Sequence, residues 1–120
     1  MSRDHRKLEV FQVADQLVLR VYAETAIFPA EERFELCRQV RRAAVSVPVN
    51  IVEGCARTTT RDYLKFINIA TGSAAETDYL LHLSARLGFL SAEVYRELSA
   101  KYSRLLASLQ KLTHSLENRT

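Results

Sequence analysis

The sequence predicts an all-α protein, an antiparallel up-down-up-down four-helix bundle. Apolar residues recur at three- and four-residue steps along nearly the whole chain, as they do on one face of a helix. Only three glycines and two prolines are present, too few for the frequent turns of a sandwich or a barrel. With 120 residues, 48% of them hydrophobic, we expect a single domain over residues 1–120 with one core.

The first two predicted helices meet near a proline. The apolar periodicity predicts the first helix over about residues 6–27. Proline is favoured in the first turn of a helix, and acidic side chains are stabilised at its positive end. Pro29 followed by Glu31 and Glu32 therefore predicts a second helix over about residues 29–56.

Capping residues delimit the last two helices. Thr59 is a predicted N-cap for a third helix over about residues 60–87, and Gly88 is its predicted C-cap. Ser91 caps a fourth helix, predicted over residues 91–117. Since the links between such helices are short, consecutive helices must run antiparallel, which predicts the up-down-up-down bundle.

The cysteines and the hydropathy indicate a reduced, non-membrane protein. Cys37 and Cys55 lie on the same predicted helix, about 27 Å apart at 1.5 Å per residue, so they cannot form an internal disulfide and are expected to be packing residues. No apolar run approaches the ~20 residues of a membrane span. We therefore expect a cytoplasmic protein that does not contact a membrane.

The second helix carries the most informative pattern. Pro48 lies in its interior and predicts a kink, since proline cannot donate the helical hydrogen bond. A helical wheel places several polar residues within one arc, the polar stripe: Gln39, Arg42, Ser46, Asn50, Glu53 and, beyond the kink, Arg57. Apolar residues flank this arc on both sides, which favours self-association through a hydrogen-bonded subunit boundary. A solvated face and a ligand site are the alternatives.

Basic residues form a candidate nucleic-acid site. The bias is towards arginine, with 13 Arg against 4 Lys and a net charge of +3. The candidate phosphate-binding residues are Arg38, Arg41, Arg42, Arg57, Arg61 and Lys65. An ion-pair network or a solvated face would give the same pattern. No aromatic platform interleaves these residues in the sequence, so stacking of single-stranded bases is not indicated.

Two segments resemble a known family. They are FPAEERFELCRQVRRAAVSVPVNIVEGCAR and YLKFINIATGSAAETDYLL, and their most specific positions include Pro48, Asn50 and Gly54. They look like the four-helix bundle proteins encoded in intervening sequences of bacterial 23S ribosomal RNA genes. Val52 and Ala56 stand where that family usually has alanine and glycine.

The resemblance implies an assembly and two classes of partner. It implies a homopentameric ring, and kinship with the accessory variability determinant of diversity-generating retroelements, a bundle that binds a reverse transcriptase and nucleic acid. We therefore expect an RNA- or DNA-binding accessory protein; the alternative is a scaffold that docks a polymerase or a reverse-transcriptase-like protein. Tyr95 and Tyr102 could serve that second surface if they lie off the core, and otherwise pack against the neighbouring helix.

Nothing in the sequence indicates catalysis. His5, His82 and His114 are scattered over the chain, and there is no ExxH pair for a di-iron bundle. The P-loop, GxSxG and HExxH motifs are also absent from the sequence. We expect no enzyme activity, no cofactor and no metal site.

Overall fold

The computed structural model describes residues 3–119, which form the predicted four-helix bundle. Two short 3₁₀ turns, His5–Lys7 and Ala30–Glu32, precede α1 and α2. The four long helices are α1 (Glu9–Thr25), α2 (Leu36–Cys55), α3 (Thr60–Arg86) and α4 (Ala92–Glu117). Each helix packs on its neighbours in the chain, and α4 closes the bundle against α1, where the helices meet least closely. The body is elongated, 45 × 23 × 19 Å.

The predicted helix caps are confirmed. The Thr59 side chain accepts a hydrogen bond from the Asp62 N–H at 3.1 Å, and Ser91 accepts one from the Val94 N–H at 3.1 Å. Gly88 follows α3 with φ +84°, a left-handed conformation that glycine adopts without steric cost. These residues satisfy helix ends that would otherwise expose unpaired backbone groups.

The start predicted for α2, residue 29, is wrong. Pro29 opens only the 3₁₀ turn, and Glu35 has a non-helical backbone (φ −113°, ψ −101°), so α2 begins at Leu36. The longer connection is anchored by Phe28, which is buried with its ring centroid 5.7 Å from that of Phe89. This late start leaves Phe34 outside the helix and 75% exposed.

The inner side of α2 packs tightly on α3. Gly54 makes the close approach possible: a Cβ there would lie 3.0 Å from Tyr63 Cδ1 and 3.1 Å from Phe66 Cβ. Pro48 is buried, and the helix continues on both sides of it. The residues shared by the core are apolar and drawn from all four helices, among them Val21, Val40, Ile51, Ile67, Leu81, Leu98, Leu105 and Leu109.

Both cysteines are buried in the core. Cys37 and Cys55 are both free thiols and both buried, as expected of packing residues. Within the described part of the chain, no helix is long and apolar enough to cross a membrane.

Candidate functional site

A groove follows the outer side of α2 along its first half, with a volume of about 710 Å³. We call it the α2 groove. None of the residues that line it carries a carboxylate, whereas four carry a guanidinium group. It is lined by Tyr22, Arg33, Phe34, Cys37, Arg38, Arg41, Arg42, Val45, Ser46 and Val49.

One of the predicted phosphate-binding residues in the groove has a structural contact instead. The Arg41 Nε–H donates to Thr25 Oγ1 at 2.8 Å, and its Nη2 donates to the Tyr22 carbonyl at 3.2 Å. The guanidinium carbon also lies 4.4 Å from the centroid of the Tyr22 ring. Arg41 therefore joins α1 to α2, and two of its five N–H donors are used in that contact.

The other groove arginines are open to solvent. Arg33, Arg38 and Arg42 are exposed, and none of them forms an ion pair within residues 3–119. Arg20, between α1 and α4, behaves differently: it binds both carboxylate oxygens of Glu97, at 2.7 and 3.1 Å, and this hydrogen bonding lowers the pKa of Glu97. Arg38 and Arg42 therefore do not take part in an ion-pair network among residues 3–119.

The groove also brings aromatic rings beside its arginines, which the sequence analysis did not foresee. Tyr22 comes from α1 and is 42% exposed, and Phe34 precedes α2 and is 75% exposed. The expectation of no aromatic platform was based on the sequence around the arginines alone. Tyr22 is remote in sequence, but Phe34 lies only four residues before Arg38, and this spacing is the signal that could have indicated an aromatic ring beside the arginines.

A second basic surface lies at the opposite end of α2. We call it the basic turn: Arg57, Arg61 and Lys65, all exposed. Arg57 lies over the ring of Phe66, 4.7 Å from its centroid, and none of the three forms an ion pair within the described residues. Arg42 and Arg57 are about 20 Å apart along the helix axis, so the six predicted residues form two separate basic surfaces.

Two buried residues, Cys55 and Tyr63, lie next to the basic turn in the sequence. Cys55 and Tyr63 are both buried, and the guanidinium carbon of Arg3 lies 4.1 Å from the centroid of the Tyr63 ring. Burial raises the pKa of Tyr63 to about 12, and the adjacent Cys55 thiol acts in the same direction. Burial likewise raises the pKa of Cys55, so this cysteine is a protonated packing residue at neutral pH.

The polar stripe has both an inner and an outer part. Ser46 Oγ lies 2.8 Å from Ser73 Oγ of α3, and Asn50 Nδ2 donates to Ser46 Oγ at 3.0 Å and to its carbonyl at 2.8 Å. These polar groups are thus hydrogen-bonded inside one subunit. The remaining predicted members, Gln39, Arg42, Glu53 and Arg57, are exposed.

The tyrosines of α4 pack within the subunit, which is the alternative that the sequence left open for them. Tyr102 is 1% exposed and belongs to the core, so it cannot meet a partner. Tyr95 is half-buried and stacks on His82 with the ring centroids 5.1 Å apart. In the part of the chain that the structure describes, no group of three or more His, Cys, Asp or Glu side chains could hold a metal ion.

These features define a class: a four-helix bundle with two basic surfaces whose exposed cations form no ion pair within residues 3–119. The chain belongs to the 23S rRNA-intervening sequence protein family, whose model matches residues 6–111. It is similar in fold to a crystal structure from Bacteroides thetaiotaomicron, of a protein with unknown function from the S23 ribosomal protein family. The identity is 23%, the TM-score is 0.80, and the match covers 87% of this chain and 97% of that one. No curated protein matches the sequence.

Proposed function

We propose that this chain is a non-catalytic, homopentameric helical bundle that binds RNA or DNA as a cytoplasmic accessory protein. The observation that carries the proposal is the set of cations without carboxylate partners on the outer side of α2 and at the basic turn. A ring would repeat each of these surfaces, and repeated phosphate contacts turn a weak subunit affinity into an appreciable one.

Of the six residues first expected to bind phosphate, five keep that role here. Arg38 and Arg42 act from the α2 groove, and Arg57, Arg61 and Lys65 act from the basic turn. Arg41 is assigned to the junction of α1 with α2, because two of its donors and its contact with the Tyr22 ring hold it there.

Self-association is assigned to the Glu53 end of the polar stripe. Glu53 is exposed, and Val52, on an apolar flank of the stripe, is half-buried, so a polar edge lies beside an apolar one. The Gln39 and Arg42 end borders the groove and is left to the ligand. A subunit mass of 13.7 kDa predicts about 69 kDa for a pentamer. Light scattering should show this mass, and Val52→Glu should lower it, because a carboxylate would be buried in the interface.

Binding is tested on the same samples with an RNA hairpin and a DNA duplex over a series of salt concentrations. We expect affinity to fall steeply with salt, and to be lost in the variant Arg38→Ala/Arg42→Ala/Arg61→Ala/Lys65→Ala at unchanged mass. The matched control Arg86→Ala/Arg96→Ala/Arg104→Ala/Lys111→Ala removes the same number of exposed cations from α3 and α4 and should bind nearly as the parent does. Absence of binding to either polymer at low salt would contradict the nucleic-acid function.

A protein scaffold is the second candidate function. The exposed apolar side chains Phe34 and Val49 favour it, since such residues are common in protein interfaces. The partner would be a polymerase or a reverse-transcriptase-like protein. A protein that forms the ring but binds no nucleic acid, together with saturable binding of a purified reverse transcriptase, would favour the scaffold.

A further inference from the structure

We propose that the α2 groove binds single-stranded nucleic acid, with a base stacked on Phe34 and the adjoining phosphates held by Arg38 and Arg42. This inference rests on the proposed nucleic-acid function and names the class of ligand. Phe34 lies four residues before Arg38 in the sequence, but only the folded chain shows that both line one groove together with Arg42.

The exposed ring of Phe34 provides a surface on which a base can stack. Phe34 lies outside α2 and keeps 75% of its surface exposed, although it is an aromatic side chain next to a core. Val45 and Val49 continue the apolar surface along the groove, and Val49 is 44% exposed. Unpaired bases present flat apolar faces, and proteins that bind single strands stack these faces on aromatic side chains.

Three exposed arginines in the same groove provide the cations for phosphate binding. Arg38 and Arg42 lie one helical turn apart along the groove, and Arg33 lies in the segment before α2. All three are exposed and none forms an ion pair within residues 3–119. Planar guanidinium groups suit bidentate contacts to phosphate and can also stack on bases.

The wall of the groove is held in place before any ligand binds. Arg41 covers the Tyr22 ring, and its bonds to the Tyr22 carbonyl and Thr25 Oγ1 tie α1 to α2. Thr25 Oγ1 in turn donates to the Val21 carbonyl at 2.7 Å. A fixed wall reduces the ordering cost of binding, which is a general source of affinity.

The surroundings favour a single strand over the other occupants. The paired bases of a duplex are stacked on one another, so their faces cannot reach Phe34. An acidic, apolar protein segment would fit the groove itself. The groove, however, carries the exposed guanidinium groups of Arg33, Arg38 and Arg42 and no carboxylate, which suits the regularly repeated phosphates of a single strand.

The test uses the full chain and a fluorescein-labelled oligouridylate of about 12 nucleotides, within the usual site sizes of single-strand binders. Fluorescence anisotropy measures the affinity of the parent and of Phe34→Ala, Phe34→Leu and Tyr79→Ala. Tyr79 is 56% exposed on α3 and serves as the matched aromatic control. Phe34→Leu keeps apolar bulk but removes the ring.

We expect Phe34→Ala and Phe34→Leu each to weaken binding about tenfold, with Tyr79→Ala unchanged and with the unfolding midpoints of all variants close to the parent. Duplex binding should be insensitive to Phe34. If the duplex binds and the oligouridylate does not, or if its affinity is independent of Phe34, this inference is overturned while the proposed function stands.

Two further outcomes are equally decisive. Failure of both polymers to bind would contradict the inference and the nucleic-acid function together. Phe34-dependent binding of a peptide of alternating glutamate and leucine, without binding of the oligouridylate, would assign the groove to an acidic protein segment and overturn the proposal.

Discussion

The two sides of α2 differ in how their polar groups are used. On the inner side, Ser46, Asn50 and Ser73 are hydrogen-bonded to one another, and Gly54 allows α3 to approach closely. On the outer side, Arg38 and Arg42 have no carboxylate partner within the described residues and face solvent beside an exposed Phe34. The inner side accounts for folding, whereas the outer side has a composition that folding does not require.

The largest expected effect concerns Tyr63, on the inner side. Burial raises its pKa to about 12, against about 10 in an unfolded chain. Its contribution is therefore complete below about pH 10 and is lost as the pH rises towards 12, because the unfolded state releases the proton first. We expect a loss of roughly 2–3 kcal/mol in the free energy of unfolding over that range, measured by urea denaturation.

The variant Tyr63→Phe is the control for this effect. It has no hydroxyl to ionise, so its stability should fall less between pH 10 and 12 than that of the parent. Buried Tyr102, whose pKa burial also raises, remains in both proteins and gives a common background of the same sign. An equal alkaline loss in the variant and the parent would show that Tyr63 does not ionise in the way described.

The next largest effect is the difference in stability between alanine substitutions at Gly54 and at Gly72. In Gly54→Ala, the new Cβ would press against Phe66 Cβ and the Tyr63 carbonyl, at 3.1 and 3.3 Å, and both are tied to the α3 backbone. We expect a destabilisation of about 2 kcal/mol by urea denaturation. Gly72→Ala is the matched control, because its Cβ would meet nothing, and it should stabilise by about 0.5–1 kcal/mol. A neutral Gly54→Ala would contradict the tight inner side.

Neighbouring arginines provide the sharpest comparison of the two roles. Arg41→Ala removes two hydrogen bonds and a ring contact, so we expect a loss of about 1–2 kcal/mol in unfolding free energy. Arg42→Ala removes an exposed side chain and should change stability by less than about 0.5 kcal/mol. RNA affinity should fall more in Arg42→Ala than in Arg41→Ala. If Arg41→Ala weakened binding more than Arg42→Ala in a folded protein, the division of roles would be wrong.

Local patterns predicted the fold well, because they are sufficient for helices. Thr59 and Ser91 accept hydrogen bonds from backbone N–H groups three residues further on, Gly88 needs only its own backbone conformation, and the structure has all three as predicted. The start of α2 was misplaced because Pro29 is equally compatible with a short 3₁₀ turn, and the non-helical backbone at Glu35 has no sequence signal.

The candidate site was less predictable, because it depends on contacts between helices. Arg41 and Arg42 are adjacent in sequence and chemically identical, yet only Arg41 reaches Thr25 and Tyr22 of α1. Likewise, the wheel placed Ser46 on an outer stripe, although Ser73 of α3 binds its hydroxyl. Which residue of a pair meets another helix is set by the packing geometry, which helical spacing alone does not contain.

Phosphate binding by the outer side of α2 is tested most directly by the salt dependence of RNA affinity. This dependence is compared between the parent and Arg38→Ala/Arg42→Ala. Each phosphate contact to a single strand contributes about 0.7 to the slope of log affinity against log salt. We predict that the variant keeps the parent's mass and unfolding midpoint. The slope of log affinity against log salt should be smaller by about 1.4, because two phosphate contacts are removed. An unchanged slope at unchanged mass would contradict the claim that the outer side of α2 binds phosphate.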